Sequence, residues 1–162
     1  MAQFQKRRLV RIKVLQILYA YEINNENLSA LVNSLLQEIG NKEIRKFGED
    51  LVNRVLINKK NIDIIIEKRT SNWEMNRIAL IDKILMRMGI CELLYFPDIP
   101  PKVTINEAIE ISKEFSTAGS GKFINGILDA ILIDGKATGN IVKTGRGLID
   151  ETISKHEPDT DL

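Results

Sequence analysis

Several things this chain has little of narrow its chemistry before any motif is considered. It holds one cysteine, Cys91, so an internal disulfide is excluded. Ile90 and Leu93 beside it suggest a buried core thiol, which fits a cytoplasmic protein. Its one histidine, His156, sits far from any partner, so no His/Cys metal cluster and no nucleophile–base pair can be assembled. No apolar run approaches membrane length, and the N-terminus lacks the apolar block and small-residue cleavage site of a signal peptide. Net charge is only +1 over 162 residues, so any electrostatic signal must be local. No period-two strand pattern and no internal repeat is present.

What is present is helical spacing. Apolar residues recur every three to four positions, which predicts helices near 5–23 and 28–38, with Asn27 capping the second. Ile44, Phe47, Leu51, Val55, Ile62 and Ile65 predict one long helix, or two joined near Asn58. Asn76 to Phe96 reads as a helix with almost no polar face, and Gly89 within it suggests tight helix packing. Pro97, Pro100 and Pro101 end it. Thr104 and Glu107 match a capping box that would open a helix running to Phe115. A loop over 116–121 then leads to a last helix over 122–133. About seven helices result, and the class is all-α.

From Asp134 to Leu162 the chain has four glycines, six acids against four basic residues, and no aromatic side chain. This composition predicts a flexible tail beyond a 1–133 domain, removable without loss of folding. Gly145-Arg146-Gly147 within it reads as solvated linker, with contact to RNA the competing reading.

Two stretches carry possible chemistry. Lys6, Arg7, Arg8, Arg11 and Lys13 crowd the first helix start, with no acid before Glu22. Positive charge there opposes the helix dipole, which a multivalent phosphate partner would offset. A solvated basic terminus is the competing reading. The second stretch is STAGSGKF, Ser116 to Phe123. It is not a nucleotide-binding P-loop: Ser116 stands where a glycine is required, Phe123 where Ser or Thr holds magnesium, and a helix precedes it instead of a strand. What remains is a Gly/Ser loop with Lys122 at a helix start, which suits a phosphate and equally an ordinary helix–helix turn.

Taken together, the Arg-rich start with LQILYAYE, then PPKVTINEAIEISKEF, then SGKFINGILDAI resembles the NusB family of bacterial transcription antitermination factors, over about residues 6–133. The resemblance implies two small helical bundles packed together, no catalysis and no cofactor. It implies binding to the boxA element of nascent ribosomal RNA together with NusE, a ribosomal protein of the small subunit, and action on the RNA polymerase elongation complex through that assembly. RNA-contacting positions carried over are Lys6, Arg7, Arg8 and Arg11, then Lys102, and then Gly119, Ser120 and Lys122, on loops expected to lie nearby. Tyr19 and Asp82 carry over as NusE-facing residues. Gly119 stands where family members often have an acid, and Pro101 where the residue is often larger. A homodimer stays open, as do a helical adaptor without RNA and a stand-alone relative of the RNA-binding domain of ribosomal RNA methyltransferases.

Overall fold

The computed structural model describes residues 2–25, 27–70 and 72–149. His156 and the tail from 150 onward lie outside the described residues. Among the described residues eight α-helices follow in order: α1 (Ala2–Asn24), α2 (Leu28–Leu36), α3 (Lys42–Ile57), α4 (Lys59–Arg69), α5 (Asn72–Arg77), α6 (Leu80–Tyr95), α7 (Pro101–Phe115) and α8 (Ser120–Thr138). A short 3-10 turn over Gly145–Leu148 comes last. No described residue forms a strand, and no described helix is long and apolar enough to cross a membrane.

The helices make two small bundles. α1, α2 and α3 pack on one another; α4, α7 and α8 gather around α6, with α5 against α4; and α6 also meets α1 and α3. This central position explains why residues 84–93 of α6 are all buried. A Cβ on Gly89 would lie 2.9 Å from Leu128, so the missing side chain is what lets α8 approach. Arg87 on α6 reaches α4 through paired bonds to Asp63 of 2.8 and 3.1 Å.

Local signals set most boundaries. Asn27 caps α2 by accepting from the Ala30 N–H, and Asn41 caps α3 by accepting from Glu43 and Ile44. The long apolar run resolves into two helices at Asn58, whose side chain donates to the Arg54 carbonyl. The stretch before α6 also differs from its expected form: α5 is a separate short helix, and extended Ala79 breaks the chain before Leu80.

The capping box does not form. α7 begins four residues earlier, with Pro101 in its first turn, where a proline lacks no bond the helix needs. Thr104 is therefore inside the helix and buried, donating to Glu92 at 3.1 Å.

The boundary at 133 also moves. α8 continues to Thr138 and ends on Gly139 in the left-handed region. The chain turns there, and Ile141 packs on Gly135, fully enclosed. Lys143 is buried, its ammonium donating to the carbonyls of Glu92 and Phe96 at 3.0 and 2.8 Å. The Thr144 N–H donates to the Pro97 carbonyl at 3.0 Å. The expected flexible tail from 134 is thus, as far as 149, the last turn of α8 followed by a strap of residues 140–149 across the end of α6.

Candidate nucleic-acid interface

The basic start of α1 is less bare than its sequence suggests. Arg11 is buried, and its guanidinium grips Glu92 of α6 with two bonds of 3.0 and 2.8 Å. Burial opposes its charge, but Glu92 more than offsets this and its pKa is raised. Arg8 makes the same two-pronged contact to Glu107 of α7, at 2.8 and 2.9 Å, while staying partly exposed. Its pKa rises chiefly through that hydrogen bond. Lys13 lies 3.5 Å from Glu38. Arg11 is consequently a core residue and not part of an accessible handle.

Lys6 and Arg7 are what remain. Lys6 is exposed. Arg7 is half-buried, its guanidinium 5.1 Å from the Phe47 ring centre, with no acid paired to it among the described residues. Arg7 lines a pocket of about 210 Å³ with Ile99, Pro100 and Val103 at the start of α7. Exposed Lys102 lies within that first turn. Arg7 and Lys102 are thereby brought to one region.

The other loop is elsewhere. Gly119, Ser120 and Lys122 follow the last turn of α7, roughly 20 Å from Lys102 at 1.5 Å rise per residue. The expectation that both loops lie nearby is corrected to this spacing. Between them α7 carries Glu110, paired with Lys113 at 2.8 Å, and Glu114, so acids and bases alternate along this stretch. Gly119 and Lys122 are exposed, but Ser120 is buried and occupied. Its hydroxyl donates to Asp82 at 2.8 Å and lies 2.9 and 3.0 Å from the Ser116 and Thr117 hydroxyls. Ser120 positions the loop and is not a surface contact.

Asp82 joins this second locus. It is nearly buried in the first turn of α6, and its Oδ1 has no hydrogen-bond partner among the described residues. With Gly119, Ser120, Thr117 and Phe123 it lines a pocket of about 390 Å³. An RNA candidate and a partner candidate therefore share one pocket. Tyr19, on α1, is 39% exposed, enough to meet another molecule. Cys91 is buried and its thiol pKa is pushed up by desolvation, which leaves it unreactive.

Sequence reasoning missed Glu92 and Glu107, the acids that hold the basic helix, because their partners lie on distant helices. It also missed that Arg146 lines the same pocket as Arg7.

Comparison with known proteins fits this arrangement. The profile of the NusB family matches residues 8–132. The chain is 46% identical over 146 residues to the transcription antitermination protein NusB of Chloroherpeton thalassium, covering 89% of this chain and 69% of that one. It is 47% identical over 147 residues to NusB of Salinibacter ruber, covering 88% and 91%. Among solved structures, NusB of T. maritima superposes with TM-score 0.72 at 36% identity, covering 78% and 89% of the two chains. A structure of the antitermination factors NusB and NusE in complex with double-stranded RNA superposes with TM-score 0.71 at 26% identity, covering 83% and 99%. With family match, curated relatives and fold in agreement, this chain belongs to the NusB family.

Proposed function

We propose that this protein is a non-catalytic transcription antitermination factor that binds the boxA RNA of nascent ribosomal transcripts together with NusE, and through that assembly acts on RNA polymerase in the cytoplasm. The observation that carries the reading is the likeness, over most of the chain, to a NusB solved with NusE and RNA. Lys6, Arg7 and Lys102 support it as the phosphate-gripping end, with exposed Lys122 a second basic point in the first turn of α8. A helical adaptor without RNA leaves Arg7, a cation without an acidic partner among the described residues, unexplained.

The test is a gel shift with boxA RNA, a scrambled RNA and added NusE. RNA should bind more tightly with NusE present, and NusE more tightly with RNA, by the same factor. Arg7→Ala should flatten the slope of log affinity against log salt by about 0.7, one phosphate on a single strand. It should lower the melting temperature by no more than a few degrees, the worth of the Arg7 contact with the Phe47 ring. An unchanged slope in the folded variant would return Arg7 to the role of a stem packed on Phe47.

Asp82 and Tyr19 are proposed to face NusE. Asp82→Asn keeps an oxygen to accept from Ser120 but removes the charge at the unpartnered position. Titration with NusE should then show a smaller enhancement of RNA binding, with binding of RNA alone unaltered. Equal loss in both measurements would mean that Asp82 acts only by holding the Ser120 loop.

A further inference from the structure

We propose that the strap of residues 140–149 forms part of the RNA interface, delivering Arg146 to the Arg7 pocket so that the two guanidinium groups each grip an RNA phosphate. This rests on the RNA-binding reading above and adds a segment beyond the residues that match the family.

The pocket of about 210 Å³ is lined by Arg7, Arg11, Arg146, Asp98, Ile99, Pro100, Val103 and Ile149. Arg11 is committed to Glu92. That leaves Arg7 and Arg146, neither in an ion pair among the described residues, facing a single acid, Asp98. Two guanidinium groups around a small pocket with apolar walls suit a nucleotide. Guanidinium groups hold phosphate oxygens through paired N–H donors, and Ile99, Pro100 and Val103 offer surface to a base.

Arg146 is held in place by a built support. Thr144 is bonded to the Pro97 carbonyl, and the Gly147 N–H donates to the Thr144 carbonyl at 2.9 Å. A Cβ on Gly147 would overlap the Pro97 carbonyl oxygen, so only glycine lets the strap lie this close. Lys143 anchors the strap on the carbonyls of Glu92 and Phe96. Glu92 therefore secures both sides of the pocket: its side chain holds Arg11 of α1, and its carbonyl holds Lys143. Lys143 is a positioning residue, and Arg146 is the contact.

The experiment measures boxA RNA affinity of the full-length protein across a salt series, with and without NusE. Arg146→Ala should lower affinity roughly fivefold near 0.1 M salt and flatten the salt slope by about 0.7, the value of one phosphate contact. Arg146→Lys should keep the slope, because a point charge still releases a counterion. Lys143→Met should lose the same slope increment, and the double variant should lose no more than either single one. Melting curves on Arg146→Ala should match wild type. Wild type that fails to bind RNA at all would overturn the functional reading itself. Wild type that binds with a salt slope, while Arg146→Ala keeps both affinity and slope, would overturn the strap proposal alone. So would a variant that loses only the NusE enhancement, since the pocket would then belong to a protein surface.

Discussion

Arg11→Met should destabilise the protein by about 3–5 kcal/mol, the usual loss when one partner of a buried ion pair is removed. Both side chains are only 3% exposed, and the pair carries two direct bonds. Removing Arg11 leaves the Glu92 carboxylate enclosed, with the Thr104 hydroxyl as its side-chain donor. Urea unfolding should show the loss as a lower midpoint, and the melting temperature should fall on the order of 10 °C for a chain of this size. The double variant Arg11→Met/Glu92→Leu should recover most of it, because no charge is then stranded. The strap should survive in that variant, since Lys143 bonds the Glu92 backbone and not its carboxylate. Below its melting point, Arg11→Met should retain the salt slope of RNA binding. If Arg11 were a solvated phosphate contact, stability would change by less than about 0.5 kcal/mol and the slope would flatten instead.

A chain ending at Ile133 should melt about 5–10 °C lower than one ending at Ile149. The shorter chain loses the last turn of α8, the ion pair of Arg69 with Asp134, and the whole strap. Ile141 is only 5% exposed, and its burial alone is worth about 1.5–3 kcal/mol. Without it, the cleft walls at Ile65, Leu94 and Ile131 are uncovered. The Glu92 and Phe96 carbonyls at the end of α6 also lose the Lys143 ammonium. That ammonium is pulled down to about 8 by burial, so charging it opposes part of the gain. Between pH 8 and 10.5 the unfolded chain binds this proton more readily than the folded one, so the strap's contribution rises with pH in that window. Equal melting curves for the two lengths would mean that the strap adds nothing to the fold.

Much of the fold was readable without coordinates. Helical spacing, the asparagine cap at Asn27, and the breaks at Asn58 and Pro97 depend on residues within a turn or two of each other. Gly89 was readable as a packing glycine because α6 had no polar face to explain it otherwise. The capping box at Thr104 was misread for an instructive reason: both of its side chains had better partners on other helices, Glu92 and Arg8, and a local motif carries no sign of such competition.

The candidate site was readable only in outline. Lys6, Arg7, Arg8 and Arg11 look alike as a run of charge, and their fates differ. Arg11 and Glu92 are 81 residues apart, and Arg8 and Glu107 are 99 apart, so nothing local could show that their charges were already matched. The strap was hidden by composition. Its apolar content is low because its anchors are one isoleucine, one lysine and two backbone groups, and its glycines mark close approach at Gly135 and Gly147 as well as turning at Gly139. Residue order alone determined the helical class, the main breaks and the family, because these rest on short-range periodicity and on motifs long enough to be specific. Tertiary structure decided which cations remain available, where Ser120 and Asp82 meet, and that Arg146 returns to Arg7. Those outcomes depend on desolvation and on pairing between distant helices, energies that exist only once the helices have packed.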